Sequence, residues 1–364
     1  MKISKLYLDI YSEQRSSDYP RFIIFYPKDR SGWGNRLRAL TFCFLFSLCT
    51  RRLLVVKDFL IEEHFKAPEG TDWSISRWKK VIKSRNDVRV LELRLRPDNW
   101  DEAAWADYKS QSMDDLFPES VLVLDEGVSF ADAIVANARY VQLFDDIGID
   151  RSSKVSWVGA LCEELLSHPT DKLLRKVQKI TRCLRFPAEP PVGIQFRTFL
   201  DIGLLNKRFL SSFIASIGLA MENQVENAKR RKFYVMTDDR DASEQIANAL
   251  LRFGDVITTS RKTIHTGGLH VGIQALIERP LLKIFGECAR SFDLYFWMPV
   301  RMRPRPHTWV LAEWYLLGEC DPIYSTFTSF GAFAAARRGN KAKLWKFEEK
   351  AGAVAPLADD SYFF

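Results

Sequence analysis

Between Tyr324 and Gly331 the chain reads YSTFTSFG and then runs into AFAAARRG. Small hydroxyl residues directly ahead of an alanine-rich helix are the parts of a phosphate-binding site. Thr328 and Ser329 supply hydroxyls, while Phe330 and Gly331 supply backbone N–H groups at the positive end of the helix dipole. Together they suit a diphosphate. The same pattern also makes an ordinary helix cap, so its meaning depends on its surroundings. From Thr308 to Ala335 the order is helix, turn, short strand, loop, helix, the arrangement by which α/β proteins hold a nucleotide at the C-terminal ends of strands.

Other segments offer groups of matching chemistry. VGIQFR puts Arg197 at the end of a strand from Val192 to Phe196. A guanidinium there forks across two phosphate oxygens and takes up charge as a bond to phosphate breaks. In SGWGNR, Gly32 and Gly34 permit a tight turn with close backbone approach, and Asn35 and Arg36 are placed to hydrogen-bond across a cleft. TDDRD, Thr237 to Asp241, has the D-x-D form of a divalent-metal motif. Because it follows a strand and precedes a helix, Asp238, Asp239 and Asp241 serve instead as cap and first-turn anions, with Asp238 in reach of a ribose. No histidine or cysteine spacing suggests a metal site.

These segments carry a resemblance. Thr308 to Ala335 is similar to the C-terminal motif of the plant xyloglucan α-1,2-fucosyltransferase family, in which A-E-x-Y-L-L is followed by S-T-F-G-Y-V-A. Ser31 to Phe59 resembles that family's G-x-G-N-R motif with its helix and following hydrophobic strand. Val192 to Phe199 resembles its G-I-Q-x-R strand end, the carrier of a phosphate-binding arginine. The resemblance implies the GT-B fold, an α/β architecture of two Rossmann-like domains facing across a cleft, and inverting transfer of L-fucose from GDP-fucose to a glycan acceptor. It also implies basic residues in place of a metal, and no cofactor beyond the donor substrate. Arg197 and Arg36 then become the catalytic cations, and Gln195 stands where more distant fucosyltransferases carry the histidine of H-x-R-R-x-D. Thr198 and Leu200 replace the second arginine and the aspartate. Glu313 becomes the expected nucleobase reader, since guanine's Watson–Crick edge presents two N–H donors to a carboxylate's two acceptors. Glu62, Glu63, Asp125 and Glu126 all fall near strand ends on the acceptor side, and none is singled out as a base.

The elements that must position these groups follow an alternating pattern. FIIFYP, the GWGNR turn, an apolar helix and LLVV make a βαβ unit. Further strands are expected at Val88 to Leu95, Val121 to Asp125 and Tyr140 to Phe144, with a helix at SWVGALCEELL. FPAEPP, Phe186 to Pro191, reads as a linker because its prolines forbid helix. Beyond it the alternation repeats: VGIQF, a helix near Arg208 to Asn227, KFYVMT, a helix from Ala242 to Leu251, and DVITT. The expected division is therefore residues 1–186 as the acceptor-side domain and 187–364 as the GDP-sugar domain.

Composition bounds the rest. The 364 residues exceed one ordinary core. A net charge of +7 suits an anionic ligand, and the basic residues are too dispersed to indicate nucleic acid. The apolar run from Ala39 to Cys49 falls short of the roughly twenty residues that span a bilayer. No apolar h-region follows Met1, so the sequence suggests a cytoplasmic chain without a transmembrane segment; the resembled family works in the Golgi lumen behind an N-terminal anchor, and an anchor absent from this sequence would restore that location. The six cysteines are scattered, most of them in apolar segments, and read as buried free thiols rather than disulfides. A different nucleotide sugar as donor, or a nucleotide- or glycan-binding module without turnover, are the competing readings.

Overall fold

The structure, a computed structural model, describes residues 2–27, 33–91, 102–124, 130–197, 209–222, 231–237, 239–258, 306–326, 329–339, 343–348 and 353–356. The opening segment, which reads as merely polar, is helix α1 (Ile3–Ser16). Ile3, Leu6, Tyr7, Ile10, Tyr11 and Gln14 recur at helical spacing and are all buried. There follow β1 (Phe22–Phe25), α2 (Trp33–Thr50), β2 (Leu53–Val56), α3 (Phe59–His64), α4 (Ile75–Lys83), β3 (Val88–Leu91), α5 (Glu102–Ser110), α6 (Met113–Leu116) and β4 (Val121–Leu124). The four strands form a parallel sheet in the order β2-β1-β4-β3. Helix α2 is buried on nearly every side, which explains its almost continuous apolar sequence: one face covers the first sheet and another meets a helix of the C-terminal half.

Next come α7 (Ala131–Ala136), a 3-10 turn at Ala138–Tyr140 and α8 (Val141–Asp146). The strand expected at Tyr140 to Phe144 is therefore helical. Tyr140, Phe144 and Ile147 are buried while Gln142 is exposed, a helical period rather than the alternation of a strand, and Asn137 caps the turn by accepting from the Arg139 N–H. Helices α9 (Lys154–Leu166) and α10 (Asp171–Leu184) complete this part.

The second sheet is built from β5 (Val192–Phe196), α11 (Leu210–Glu222), β6 (Arg231–Thr237), α12 (Arg240–Leu250), β7 (Gly254–Thr258), α13 (Pro306–Leu317), β8 (Ile323–Ser325), α14 (Ser329–Ala336), β9 (Leu344–Glu348) and β10 (Ala353–Pro356). Its strand order is β10-β9-β8-β5-β6-β7, parallel except where β10 runs against β9. The chain moves outward from β5 through β6 to β7, then returns and moves the other way from β8. Strand order reverses between β5 and β8, the place where an open α/β sheet leaves a ligand crevice. Helix α13 packs on α10, and α14 packs on α2 and α9, so C-terminal helices join a core cluster shared with the first half. Cys43, Cys49, Cys162 and Cys320 are buried free thiols, and Cys183 is an exposed one. No helix among the described residues is long and apolar enough to cross a membrane.

Candidate functional site

At the reversal point, the ends of β5 and β8 are stitched together by backbone and side chains. The Thr326 N–H donates to the Gln195 carbonyl at 3.0 Å, and the Arg197 N–H donates to Thr326 Oγ1 at 2.9 Å. Below them, Ser325 Oγ donates to Gln195 Oε1 at 2.6 Å, and both side chains are buried. The first turn of α14 rests on this pair: a Cβ on Gly331 would lie 2.3 Å from Ser325 Oγ, so only glycine lets the helix settle so deeply. Arg197 thus leaves the strand at the crevice with its backbone held, and its side chain is half-buried.

The start of α2 meets the start of α14. A Cβ on Gly34 would lie 2.2 Å from Ser329 Oγ and 3.0 Å from the Phe330 nitrogen. Helix starts leave their first N–H groups without intrahelical acceptors and carry the positive end of the dipole. Two converge here, one from each half of the chain. Trp314 Nε1 on α13 donates to the Phe330 carbonyl at 2.9 Å and fixes the second start. Beside the first, the Trp33 ring meets the buried His64 edge-on at 6.2 Å, and His64 Nε2 lies 2.8 Å from Thr308 Oγ1 on α13.

Arg36 lies two residues beyond Gly34 on α2. Its Nη1 bonds Asp58 Oδ2 at 2.7 Å, and the two residues are 7% and 3% exposed. A guanidinium carried into a core must be paired, so the cation expected at the sugar or phosphate is enclosed against a carboxylate and ties α2 to the end of β2. Asn35 is half-buried in the first turn.

Glu313 is likewise enclosed. Expected to face guanine, its side chain is 1% exposed, and its Oε1 accepts from Trp309 Nε1, one turn earlier on α13, at 2.6 Å. Its charge adds to burial in pushing the Tyr234 phenol well above its usual range. Gln195 likewise serves the strand junction through Ser325. In TDDRD, Asp239 is the cap, accepting from the Ala242 N–H at 2.9 Å. Gly32, Asp238 and Thr328, and the acidic pair Asp125 and Glu126, lie outside the described residues. Glu63 bonds Lys172 at 2.6 Å on the surface, whereas Glu62 is half-buried, near Asp58 and Asp72, and burial raises its pKa. Among the described residues no group of three or more His, Cys, Asp or Glu could hold a metal ion.

Sequence reasoning missed Asp58, Ser325 and Thr326. The signal was there in part: an aspartate two residues after a fully apolar strand, and hydroxyls ahead of the pair it had selected.

No family model matches the chain, and no curated protein sequence matches it. Among solved structures, that of an Arabidopsis thaliana FUT1 mutant in complex with GDP superposes with a TM-score of 0.64 at 14% identity, covering 98% of this chain and 81% of that one. The structure of fucosyltransferase NodZ from Bradyrhizobium gives 0.49 at 14% identity, covering 93% and 98%. By fold, then, this chain stands with Arabidopsis FUT1, as a GT-B protein built on two parallel-stranded α/β sheets.

Proposed function

We propose that this chain is an inverting glycosyltransferase that moves L-fucose from GDP-fucose to a glycan hydroxyl, with O2 of a β-galactosyl residue as the acceptor atom. One observation carries the reading: the starts of α2 and α14 converge at Gly34 and Ser329, and on α14's other side Gly331 rests over the β5–β8 junction from which Arg197 leaves. That is a cradle for a nucleoside diphosphate. The sequence resemblance supplies the fucosyl donor, and the shared fold supports it through FUT1, whose structure holds GDP.

In this mechanism the bond from fucose C1 to the β-phosphate oxygen breaks with its electron pair going to GDP. Arg197 and the helix-start N–H groups meet the charge that develops there. The acceptor oxygen forms the new C1–O bond from the opposite face through an oxocarbenium-like transition state, and its proton passes late to water. Arg36, held by Asp58, fixes α2 against the end of β2. Residues 1–186 would bind the acceptor and 187–364 the nucleotide.

A donor-by-acceptor panel tests this. GDP-fucose, GDP-mannose, UDP-galactose and UDP-xylose are offered with free β-galactosides and a xyloglucan fragment, and products are read by mass spectrometry. Fucosylated product from GDP-fucose alone is the expected result; transfer from another donor would replace fucose in the reading. A binding module without turnover is the reading that the single arginine favours, Thr198 standing where a second would be. GDP binding without transfer or hydrolysis under any pairing would establish it.

A further inference from the structure

Helix α10 (Asp171–Leu184) buries only a narrow stripe, Leu173, Val177 and Ile180. From Asp171 to Arg185 the chain carries Lys172, Arg175, Lys176, Lys179, Arg182 and Arg185 against one acid, Asp171. Lys172, Arg175, Lys179 and Arg182 recur in steps of three, four and three, so they line one ridge of the helix. All four are exposed, as is Arg185 beyond the helix end. Lys172 meets Glu63 at 2.6 Å, and Asp171 meets Lys66 at 3.1 Å. Among the described residues Arg175, Lys179, Arg182 and Arg185 form no ion pair. Helix stability does not account for this ridge. Like charges three or four residues apart repel along a helix, and Lys172 and Arg175 stand in the first two turns, where the dipole disfavours a cation. The ridge is therefore complementary to an anion from outside the chain.

Its shape and place decide which anion. The exposed cations make a line one side chain wide, bordered at its start by Glu63 and Asp171, which suits a single polyanionic strand better than a plane of anionic headgroups. The line starts beside the cradle. The Thr170 N–H, just ahead of α10, donates to the His64 carbonyl at 2.9 Å, and the His64 ring meets Trp33, the first residue of α2, and Thr308 on α13. From there α10 leads to the linker before β5, whose C-terminal end faces the crevice, so the ridge runs outward from the site. It is roughly 15 Å long, with a cation every 5 Å or so of helix rise, close to the length of one sugar residue in a chain. The arginines in it can fork across two oxygens of a carboxylate or sulfate.

We infer that the outward ridge of α10 is a docking track for an acceptor glycan that carries carboxylate or sulfate groups on successive sugars, with its reacting residue in the crevice. The acceptor role rests on the glycosyl-transfer reading above, and the track itself rests on the charges.

The test compares the wild type with Arg175→Gln/Lys179→Gln/Arg182→Gln. A control, Lys79→Gln/Lys80→Gln/Lys83→Gln, removes the same charge from exposed positions on α4. The probes are a labelled β-galactan octasaccharide in sulfated, glucuronate-bearing and neutral forms, measured for binding by fluorescence anisotropy and, with GDP-fucose, for acceptor KM. The wild type is expected to prefer an anionic form about tenfold over the neutral one, by a margin that shrinks as ionic strength rises. Sulfate and glucuronate arms show which anion the track takes. The α10 variant should lose the preference while its KM for neutral acceptor, KM for GDP-fucose and melting temperature stay at wild-type values; the α4 variant should keep it. Equal binding of anionic and neutral forms by the wild type overturns the track, as does an equal loss of preference in both variants. Capture of the wild type but not the α10 variant by phosphatidylserine vesicles, with no preference among the glycans, would make the ridge a membrane surface instead. A wild type that binds the anionic glycan through α10 yet neither binds GDP nor turns over GDP-fucose keeps the track as a glycan site and sinks the transferase reading.

Discussion

Gly34 and Ser329, from opposite ends of the chain, approach so closely that a Cβ on the first would sit 2.2 Å from the hydroxyl of the second. The contact brings together two helix starts whose dipoles would repel unless an anion lay between them. Gly34→Ala should push α14 away from α2, costing about 1–3 kcal/mol of stability and at least an order of magnitude in GDP affinity. Gly34→Ala/Ser329→Gly should recover part of both, the Phe330 nitrogen at 3.0 Å limiting the rest. Calorimetry with GDP decides it: an alanine variant that binds GDP like wild type would show that this junction does not shape the diphosphate site.

The Arg36–Asp58 pair separates a structural role from a phosphate-binding one. Removing one member leaves an uncompensated buried charge, so Arg36→Met or Asp58→Leu alone should destabilise by about 3–5 kcal/mol. The double variant should regain most of that stability, because apolar side chains of similar volume replace an ion pair without the desolvation cost. GDP affinity of the double variant should then lie within about threefold of wild type, well under the factor expected for losing a charge-assisted phosphate contact. A stable double variant with a large loss of affinity would return Arg36 to the phosphate.

Most of the sheet framework was legible because buried parallel strands are short apolar runs bounded by glycine, proline or charge, as at Phe22–Phe25 and Val192–Phe196. Tyr140–Phe144 misled because a five-residue apolar stretch fits either period, and the deciding residue, Ile147, lies beyond it. Helices α1 and α10 escaped because their many charges mask a narrow buried stripe; in α10 only Leu173, Val177 and Ile180 are buried. At the site, Arg197 and the α14 start could be found from chemistry at strand ends. The internal partners of Arg36 and Glu313 could not, since contacts such as those with Asp58 and Trp309 are encoded in no local pattern.

Glu62 gives a pH signature. Burial is the main cause of its raised pKa, with Asp58 and Asp72 adding and the Ile75 N–H opposing. A carboxyl whose folded pKa exceeds its unfolded value of about 4.3 adds stability that is fully present below the unfolded value and lost as pH rises through the folded one. Glu62→Gln has no such proton to lose and keeps an acceptor for the Ile75 N–H. Its stability relative to wild type should therefore climb as pH rises above about 4. Denaturant melts at several pH values measure the difference; a flat difference, or one that falls as pH rises, would contradict the raised pKa.

Arg197 is the most direct test of the chemistry. Its backbone is fixed by Thr326 at 2.9 Å, at the strand-order reversal, so the side chain can be changed without releasing the strand. Arg197→Ala removes a charge-assisted donor from the leaving diphosphate and should lower kcat by about a hundredfold or more, roughly 2.7–4 kcal/mol. Arg197→Lys should recover little, because an ammonium cannot fork across two oxygens. Because charge on the β-phosphate grows as the C1–O bond breaks, the loss should fall mainly on kcat, with KM for GDP-fucose changing less. Thr326→Val, which deletes only the hydroxyl that accepts the Arg197 N–H, should produce a smaller loss in the same direction by loosening the strand end. A well-folded Arg197→Ala variant that keeps more than about a third of wild-type kcat, far above the hundredfold loss that oxyanion-type donors impose, would remove Arg197 from the reacting centre.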